Sequence, residues 1–311
     1  MAVKRIIFSG IVFLALLGSV VAQQDPLYTQ YRNNMLSVNP AYAGSREALT
    51  VALLHRSQWV GINGAPTTQT LTVHGPLVNP NLGFGASLVH DVIGPTRTTG
   101  LYGDLSGRVK LTENGYLAGG IKLGINFFSS NLTTVETGTQ GDAAFGQNTS
   151  SVLPNLGFGV YYYSPSFYLG VSAPKLIQNV LYADNLPSGE VFEVTEKRHY
   201  FAIAGVILEL NPNLKFRPSV LARLVDGAPN SLDLTGSFIF ADKFWIGAFY
   251  RYQESLGMLV DYNFTPQLKV GYSYDYTLTE LQNYNSGSHE ISVTYDFIFN
   301  DAKKIKSPRY F

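Results

Sequence analysis

The sequence predicts an all-β protein, a transmembrane up-and-down antiparallel β-barrel of about 14 strands with a short N-terminal helical or irregular segment. Three observations predict this fold. Apolar and polar residues alternate along many segments, several of those segments are long, and short connections alternate with long ones. Strict alternation indicates strands with two different faces, and tilted strands of about 9–11 residues can cross a bilayer.

Composition excludes several classes of protein. The 311 residues include 22 Lys and Arg against 22 Asp and Glu, so the basic excess typical of nucleic-acid-binding proteins is missing. Charged residues make up 14% of the chain, which is low for a soluble surface. The sequence has no cysteine, which excludes disulfides, thiolate metal sites and cysteine nucleophiles.

Residues 1–22 have the pattern of a secretory signal peptide. Lys4 and Arg5 precede an apolar run, and Val20-Val21-Ala22 forms a small-residue cleavage site. A transmembrane anchor is the alternative, but the run is short for a bilayer. We expect export and cleavage after Ala22.

Residues 23–47 are expected to form an N-terminal segment that lies in the periplasm or in the barrel lumen. Asp25 is a suitable helix N-cap, and apolar residues then recur at helical spacing until Asn39-Pro40. This pattern predicts a short helix near 26–36.

The barrel is expected over residues 48–299, followed by a short basic tail, 300–311. In "LKVGYSYDYT" (268–277), Leu268 and Val270 share one face, whereas Lys269 and Asp275 share the other. The apolar face is expected to meet lipid and the polar face the lumen. The predicted strands lie near 48–58, 67–75, 82–90, 98–110, 116–128, 155–163, 167–173, 198–209, 214–224, 231–240, 244–252, 256–264, 267–277 and 288–299.

Connection lengths predict the orientation of the barrel. Turns after even-numbered strands are mostly short, whereas the long connections 129–154, 174–197 and 278–287 follow odd-numbered strands. Outer-membrane barrels have short periplasmic turns and longer external loops. The pattern therefore fits a barrel with both termini in the periplasm. A β-propeller would instead repeat a motif in each blade, and the sequence has none.

Charged residues on the polar faces fall into two groups. Like charges on neighbouring strands repel, so each group is expected to need counter-charges across the lumen. A charged transport path is one interpretation; an interior cross-linked by ion pairs and partly filled by the N-terminal segment is the favoured one, because so wide a lumen needs water or a plug. The lumen charges are Arg108, Lys122, Arg217 and Arg223, and Asp261, Asp275 and Asp296.

The sequence offers no catalytic or metal-binding pattern. None of the five histidines forms an H-x-H or H-E-x-x-H pair. Ser87, His90 and Asp91 lie in one strand, where alternate side chains point to opposite faces, and no nucleophile elbow or P-loop is present. We therefore expect no enzyme activity, no metal and no cofactor.

Several motifs together resemble the PorP/SprF family of the type IX secretion and gliding machinery. They are "DPLYTQY" (25–31), "NPAYAG" (39–44), "RSQWVG" (56–61) and "GAPTTQ" (64–69). The resemblance implies a non-enzymatic barrel in the outer membrane that helps to export or retain a large secreted adhesin. Its implied partners are outer-membrane lipid, other type IX secretion components and that client. A porin or small-molecule transporter is the alternative function.

The residues that match the family are candidates for fixing the N-terminal segment against the barrel. Arg56 and Gln58 share one face of the first strand and are expected to anchor that segment by hydrogen bonds. Plain turn chemistry at Asn39-Pro40 and Gly61 is an equal alternative. The matching residues are Asn39, Pro40, Tyr42, Gly44, Arg56, Gln58, Trp59, Gly61 and Pro66.

Overall fold

A computed structural model describes residues 26–46, 48–135, 147–185, 191–226 and 229–297. Its helical parts are one α-helical turn, Met35–Val38, and 3-10 turns at Tyr31–Asn34, Pro40–Tyr42, Leu132–Thr134 and Glu280–Asn283. Among these described residues, no helix is both long and apolar enough to span a membrane.

Strands make up most of the described chain. They are β1 (Leu49–Ser57), β2 (Thr67–Pro76), β3 (Leu82–Ile93), β4 (Thr96–Lys110), β5 (Tyr116–Ser130), β6 (Thr149–Tyr163), β7 (Phe167–Lys175), β8 (Val180–Asn185), β9 (Val191–Thr195), β10 (His199–Val206), β11 (Leu208–Asn211), β12 (Leu214–Val225), β13 (Ser231–Phe240), β14 (Phe244–Arg251), β15 (Ser255–Asn263), β16 (Leu268–Thr277) and β17 (Ser288–Phe297).

The strands form a closed antiparallel barrel. The wall contains all of these strands except β8 and β9, which form a separate hairpin. Because β10 and β11 both pair with β12 and together make one wall strand, the wall has 14 strands. Each wall strand pairs with the next, and β17 pairs with β1 to close the barrel. Closure gives every wall strand two neighbours and so leaves no free edge of unpaired amides. The predicted fold, an up-and-down barrel of 14 strands with a short N-terminal helical segment, is confirmed.

The alternation seen in the sequence becomes the two faces of the wall. Along β16, Lys269, Ser273 and Asp275 are buried in the lumen, whereas Tyr272 and Tyr276 are exposed on the outside. The core of this protein is therefore its lumen, where buried charged and hydroxyl side chains surround a cluster of apolar ones. The exposed apolar side chains face outward, as expected of a wall in lipid.

Several predicted strand ends are wrong. The predicted loop 129–154 is partly strand, because β5 and β6 stay paired up to Ser130 and Thr149. The predicted strand 198–209 is interrupted at Ile207, whose backbone N–H bonds to Ser166 instead of the ladder. The predicted loop 174–197 contains a separate hairpin, β8 and β9. In each case cross-strand pairing, which depends on the neighbouring strand, overrode the local residue signals.

The prediction of a helix near 26–36 is also wrong in its bounds, since the helical turns begin at Tyr31 and end at Tyr42. The backbone N–H groups of Thr29 and Gln30 donate to the Glu290 carboxylate at 3.0 and 2.6 Å. These wall contacts replace the bonds that an earlier helical turn would have made. Asp25, the expected N-cap, lies outside the described residues.

Candidate functional site

Residues 26–46, the lumen segment, fill the middle of the barrel. Most of their side chains are buried, and Met35, Leu36 and Asn34 are each 1% exposed. The segment begins at the barrel end that carries the long connections, here the long-loop end, where Pro26 and Leu27 line a cavity. It runs through the lumen to the end that carries the short turns, here the short-turn end, where it joins β1.

Near the long-loop end, one buried charge cluster holds the segment. Arg56 of β1 donates to Thr29 Oγ1 at 2.9 Å and contacts the carboxylates of Glu290 and Asp275 at 3.2 and 2.7 Å. Thr29 Oγ1 in turn donates to Asp275 Oδ2 at 2.6 Å. One arginine thus joins the segment to three neighbouring strands, through hydrogen bonds that charge strengthens.

A second cluster binds the middle of the segment. Arg32 pairs with Asp261, whose carboxylate is 0% exposed and also accepts a 2.8 Å hydrogen bond from Asn33 Nδ2. Lys269 Nζ donates to Asn33 Oδ1 at 2.6 Å, and the Arg32 guanidinium lies 4.6 Å from the centre of the Trp245 ring. Burial lowers the pKa of Arg32, while the Asp261 carboxylate opposes that effect.

Apolar packing secures the opposite side of the segment. Tyr31, Met35 and Tyr42 join a buried cluster that includes the wall residues Tyr161 and Ile203. Tyr42 meets Tyr161 edge to face, with ring centroids 5.7 Å apart. Burial raises the pKa of the Tyr31 and Tyr42 hydroxyls.

The Asn39-Pro40 turn lies against a wall of glycines. Asn39 is 0% exposed; its Nδ2 donates to the carbonyls of Val160 and Val171, and its Oδ1 accepts from Ala41. A Cβ added at Gly120 would lie 2.4 Å from the Ala41 nitrogen, and a Cβ at Gly83 would lie 2.3 Å from the Ala43 oxygen. These glycines let the segment's backbone approach the wall.

The segment's exit at the short-turn end is also fixed. Gly44 has φ +71, a conformation that favours glycine, and its N–H donates to His74 Nδ1 at 3.3 Å. Arg46 contacts Asp296 at 3.4 Å, and Asp296 also accepts a 2.7 Å hydrogen bond from Thr50. Arg108 donates to the Tyr163 hydroxyl at 2.7 Å and to the Gly44 carbonyl at 3.5 Å.

The two predicted charge groups have partners that the sequence analysis did not assign. The anionic group pairs with Arg32 and Arg46 of the segment and with Arg56 of β1. In the cationic group, Lys122 pairs with Asp104 on the adjacent strand at 2.9 Å.

The other two arginines of the cationic group lie deep in the lumen. Arg217 donates to the Tyr168 hydroxyl at 3.1 Å and is 2% exposed. Arg223 is 3% exposed and lines a small cavity of about 80 Å³ beside the segment.

The remaining motif residues lie in the β1–β2 connection. Gln58 donates its backbone N–H to the Pro66 carbonyl at 2.9 Å, and the Trp59 N–H bonds to Ser288 Oγ at 3.1 Å. Gly61 has φ +105, so its turn needs glycine. Arg56 makes the anticipated side-chain hydrogen bond to the segment, whereas among the described residues the Gln58 side chain makes none.

A cavity of about 710 Å³ lies between the segment and the connections of the long-loop end. Its lining mixes charged, hydroxyl and aromatic side chains, among them Arg251, Glu196, Thr277, Trp59 and Phe128. The volume lies within the range of about 300–1,000 Å³ typical of ligand pockets.

The described residues contain no group of three potential metal ligands. Ser87 points into the lumen, and Asp91 accepts from Thr68 at 2.6 Å. His90 bonds instead to Thr99 at 2.8 Å. His90 therefore lies on the opposite face of β3 from the other two, as strand alternation predicted.

Sequence reasoning missed several lumen residues. Arg32 and Arg46 lie in an irregular segment without a strand period, so their direction could not be assigned. Asp233 and Arg251 face each other on β13 and β14 and form a bidentate pair at 2.8 and 2.9 Å. Opposite charges at inward positions of adjacent strands were the available signal for that pair.

The barrel is similar in fold to solved outer-membrane channels. It matches the toluene transporter TodX of P. putida with TM-score 0.51 and 12% identity, over 88% of this chain and 95% of that one. It matches the CymD monoaromatic hydrocarbon channel with TM-score 0.50 and 13% identity, over 87% and 94%. At these identities the likeness concerns the fold alone.

Sequence comparison supplies the family. No curated protein matches the chain. A family model described as type IX secretion system membrane protein PorP/SprF matches residues 20–295. That match spans the lumen segment and the wall strands up to Tyr295 in β17. The chain therefore belongs to the PorP/SprF family of type IX secretion system membrane proteins.

Proposed function

We propose that this outer-membrane barrel is a non-catalytic accessory component of the type IX secretion or gliding machinery. It assists the export or surface attachment of a large secreted adhesin through protein–protein contacts. Family membership supports the link to secretion. The client and the contacts are part of the proposal.

The observation that carries the accessory role is the filled lumen. A diffusion porin needs an open, water-filled interior. Here Arg32 and Arg56 fix the lumen segment to buried carboxylates of three wall strands. Removing either arginine would break an ion pair with a buried carboxylate, which is strongly unfavourable. The segment is thus held as a permanent part of the core.

The proposed topology follows from connection lengths and the predicted signal peptide. After cleavage behind Ala22, the short turns face the periplasm and the long-loop end faces outward. The cavity of about 710 Å³ then opens toward the cell surface, where a secreted client arrives. The outer connections, including the hairpin β8 and β9, are the proposed contact surfaces.

Deletion of the gene, followed by proteomics of the cell surface and the medium, tests this function. The expected result is selective loss of one large adhesin from the surface, with other exported proteins unchanged. Re-expression of the wild-type chain should restore that adhesin. Unchanged secretion and attachment in the deletion strain would refute the proposal.

A small-molecule transporter is the second candidate. The observation in its favour is that the cavity of about 80 Å³ beside the segment and the larger cavity share lining residues, among them Leu27, Val89 and Lys175. Planar-bilayer recording separates the two functions. A large, stable conductance of bilayers that contain the purified wild-type barrel would favour transport, and the absence of conductance would favour the accessory role.

A further inference from the structure

The outward face of the barrel is not uniform around its circumference. On β5 it is apolar from Leu117 to Phe127. At about 3.4 Å per residue and a strand tilt of about 40°, this stretch is about 26 Å high. Outer-membrane barrels carry an apolar band of about 25 Å. This part of the wall is therefore matched to lipid.

On β1 the outward face turns polar much sooner. Leu49, Val51 and Leu53 face outward and are followed by His55 and Ser57. By the same geometry, the apolar stretch from Leu49 to Leu53 is only about 10 Å high. Less than half of the bilayer band is thus covered by apolar side chains on this strand.

The polar positions continue across neighbouring strands as one row. Cross-strand register places His55 opposite Gln69, Gln69 opposite His90, and His90 opposite Thr99. The next outward row toward the short-turn end is entirely leucine. It consists of Leu53, Leu71, Leu88 and Leu101.

His55, Gln69 and His90 of this polar row lie at the depth of the hydrocarbon band, whereas Thr99 lies about 29 Å from the short-turn end of β4, beyond the band. Measured from the short-turn ends of β1 and β2, His55 and Gln69 lie about 16 and 18 Å up the wall. On β5, Leu123 lies at a matching height of about 18 Å above the short-turn end at Tyr116, and it is 58% exposed. Equal depth therefore carries polar side chains on one side of the barrel and apolar ones on the other.

Lipid acyl chains would leave these polar groups without partners. His55 Nε2 bonds to Ser57 at 3.1 Å, so within the described chain the second ring nitrogen has no hydrogen bond; the same holds for His90, which bonds to Thr99. Gln69 is exposed, and its carboxamide makes no hydrogen bond to other described residues. Unsatisfied amides in hydrocarbon are strongly unfavourable.

We propose that the outer face of β1, β2, β3 and β4, here the polar wall, is a lateral docking surface for a second integral outer-membrane protein. That partner presents hydroxyl, carboxamide or carboxylate side chains at the depth of His55 and Gln69. A second copy of this chain is the weaker candidate, because a two-fold contact would place imidazoles against imidazoles. That the partner is a secretion component rests on the proposed function; that the wall is docked does not.

Site-specific photo-crosslinking in living cells tests the docking. A photoreactive amino acid replaces Gln69 in one strain and Leu123, the matched lipid-facing position, in another. Position 69 is expected to give an adduct with another outer-membrane protein, and position 123 to give none. Lipid adducts alone from both positions, or an adduct with a second copy, would overturn the proposal.

Substitution then tests whether the polar row holds the complex. The double variant His55→Leu with Gln69→Leu suits lipid and should fold, and its complex on native gels should fall at least tenfold. The control Leu123→Met should leave the complex unchanged. An undiminished complex in the double variant would equally refute the docking. Adhesin attachment is scored in the same cells, so a crosslinked partner unrelated to secretion would refute only the proposed function.

Discussion

Two adjacent glycines of β5 test whether the lumen segment is a fixed part of the core. Gly120 faces the lumen and Gly119 faces outward. A Cβ at Gly120 would lie 2.4 Å from the Ala41 nitrogen and 2.5 Å from the Pro40 carbonyl carbon, whereas a Cβ at Gly119 would meet nothing within 4 Å. Replacing each glycine with alanine adds the same methyl group, but that group meets the segment only at position 120.

We expect Gly120→Ala to destabilise the barrel and Gly119→Ala to stabilise it slightly. Ordinary contact begins near 3.4 Å, so the backbone at Pro40-Ala41 must retreat by about 1 Å, and overpacking of this kind costs about 1–3 kcal/mol. That range corresponds to about 5- to 150-fold in the unfolding equilibrium. Gly119→Ala should instead gain about 0.4–1 kcal/mol by restricting the unfolded chain.

Urea unfolding in detergent micelles, followed by tryptophan fluorescence, measures the difference. The chain has two tryptophans, so a Trp59→Phe background leaves Trp245, over whose ring the segment's Arg32 lies, as the only reporter. Equal unfolding free energies for the two alanine variants would refute the packed-segment interpretation. An unchanged Trp245 emission in Gly120→Ala would contradict the expected retreat of the backbone.

Three further predictions concern the segment's anchors and the lumen. Arg32→Met should cost about 3–5 kcal/mol because it breaks the buried ion pair with Asp261 and leaves Lys269 as the cation near that carboxylate. Replacing Asp261 and Lys269 as well, by Leu and Met, should recover most of that loss in urea unfolding, and a triple variant no better than the single one would contradict the pairing. Asn39→Ala should lower the unfolding free energy by about 1–3 kcal/mol, because the Val160 and Val171 carbonyls lose their donor, whereas Asn213→Ala in the exposed β11–β12 turn should change it by less than about 0.5 kcal/mol. Deleting residues 26–43 should open the lumen and produce stable conductance in planar bilayers. If a folded deletion variant gave no conductance, the lumen segment would not be what closes the barrel.

The lumen contacts show why part of the site was beyond sequence reasoning. Asp261, Asp275 and Asp296 were assigned to the lumen because a strand has a period of two, and each is buried there. Their counter-charges were not identified correctly, because Arg32 and Arg46 lie in turns whose side-chain directions have no fixed period. Which carboxylate each arginine contacts depends on the path of the segment through the lumen of the closed barrel.

The role of the glycines on the lumen face was also beyond sequence reasoning. Gly83 and Gly120 alternate with apolar residues, so a lumen-facing position could be read directly from the sequence. Nothing local distinguishes a glycine that faces water from one that touches Ala41 or Ala43. Only the docked segment, some eighty residues away for Gly120, explains the missing side chain.

The sequence by itself determined the barrel, its strand number and the chemistry of its two faces, because alternation is a local property of extended chain. The tertiary structure decided which partners the buried charges have, where the segment lies, and how far up the wall the apolar band reaches on each side. Those features depend on register and closure, which join residues far apart in the chain. The polar row from His55 to Thr99 exists only as such a register, since no single strand reveals it.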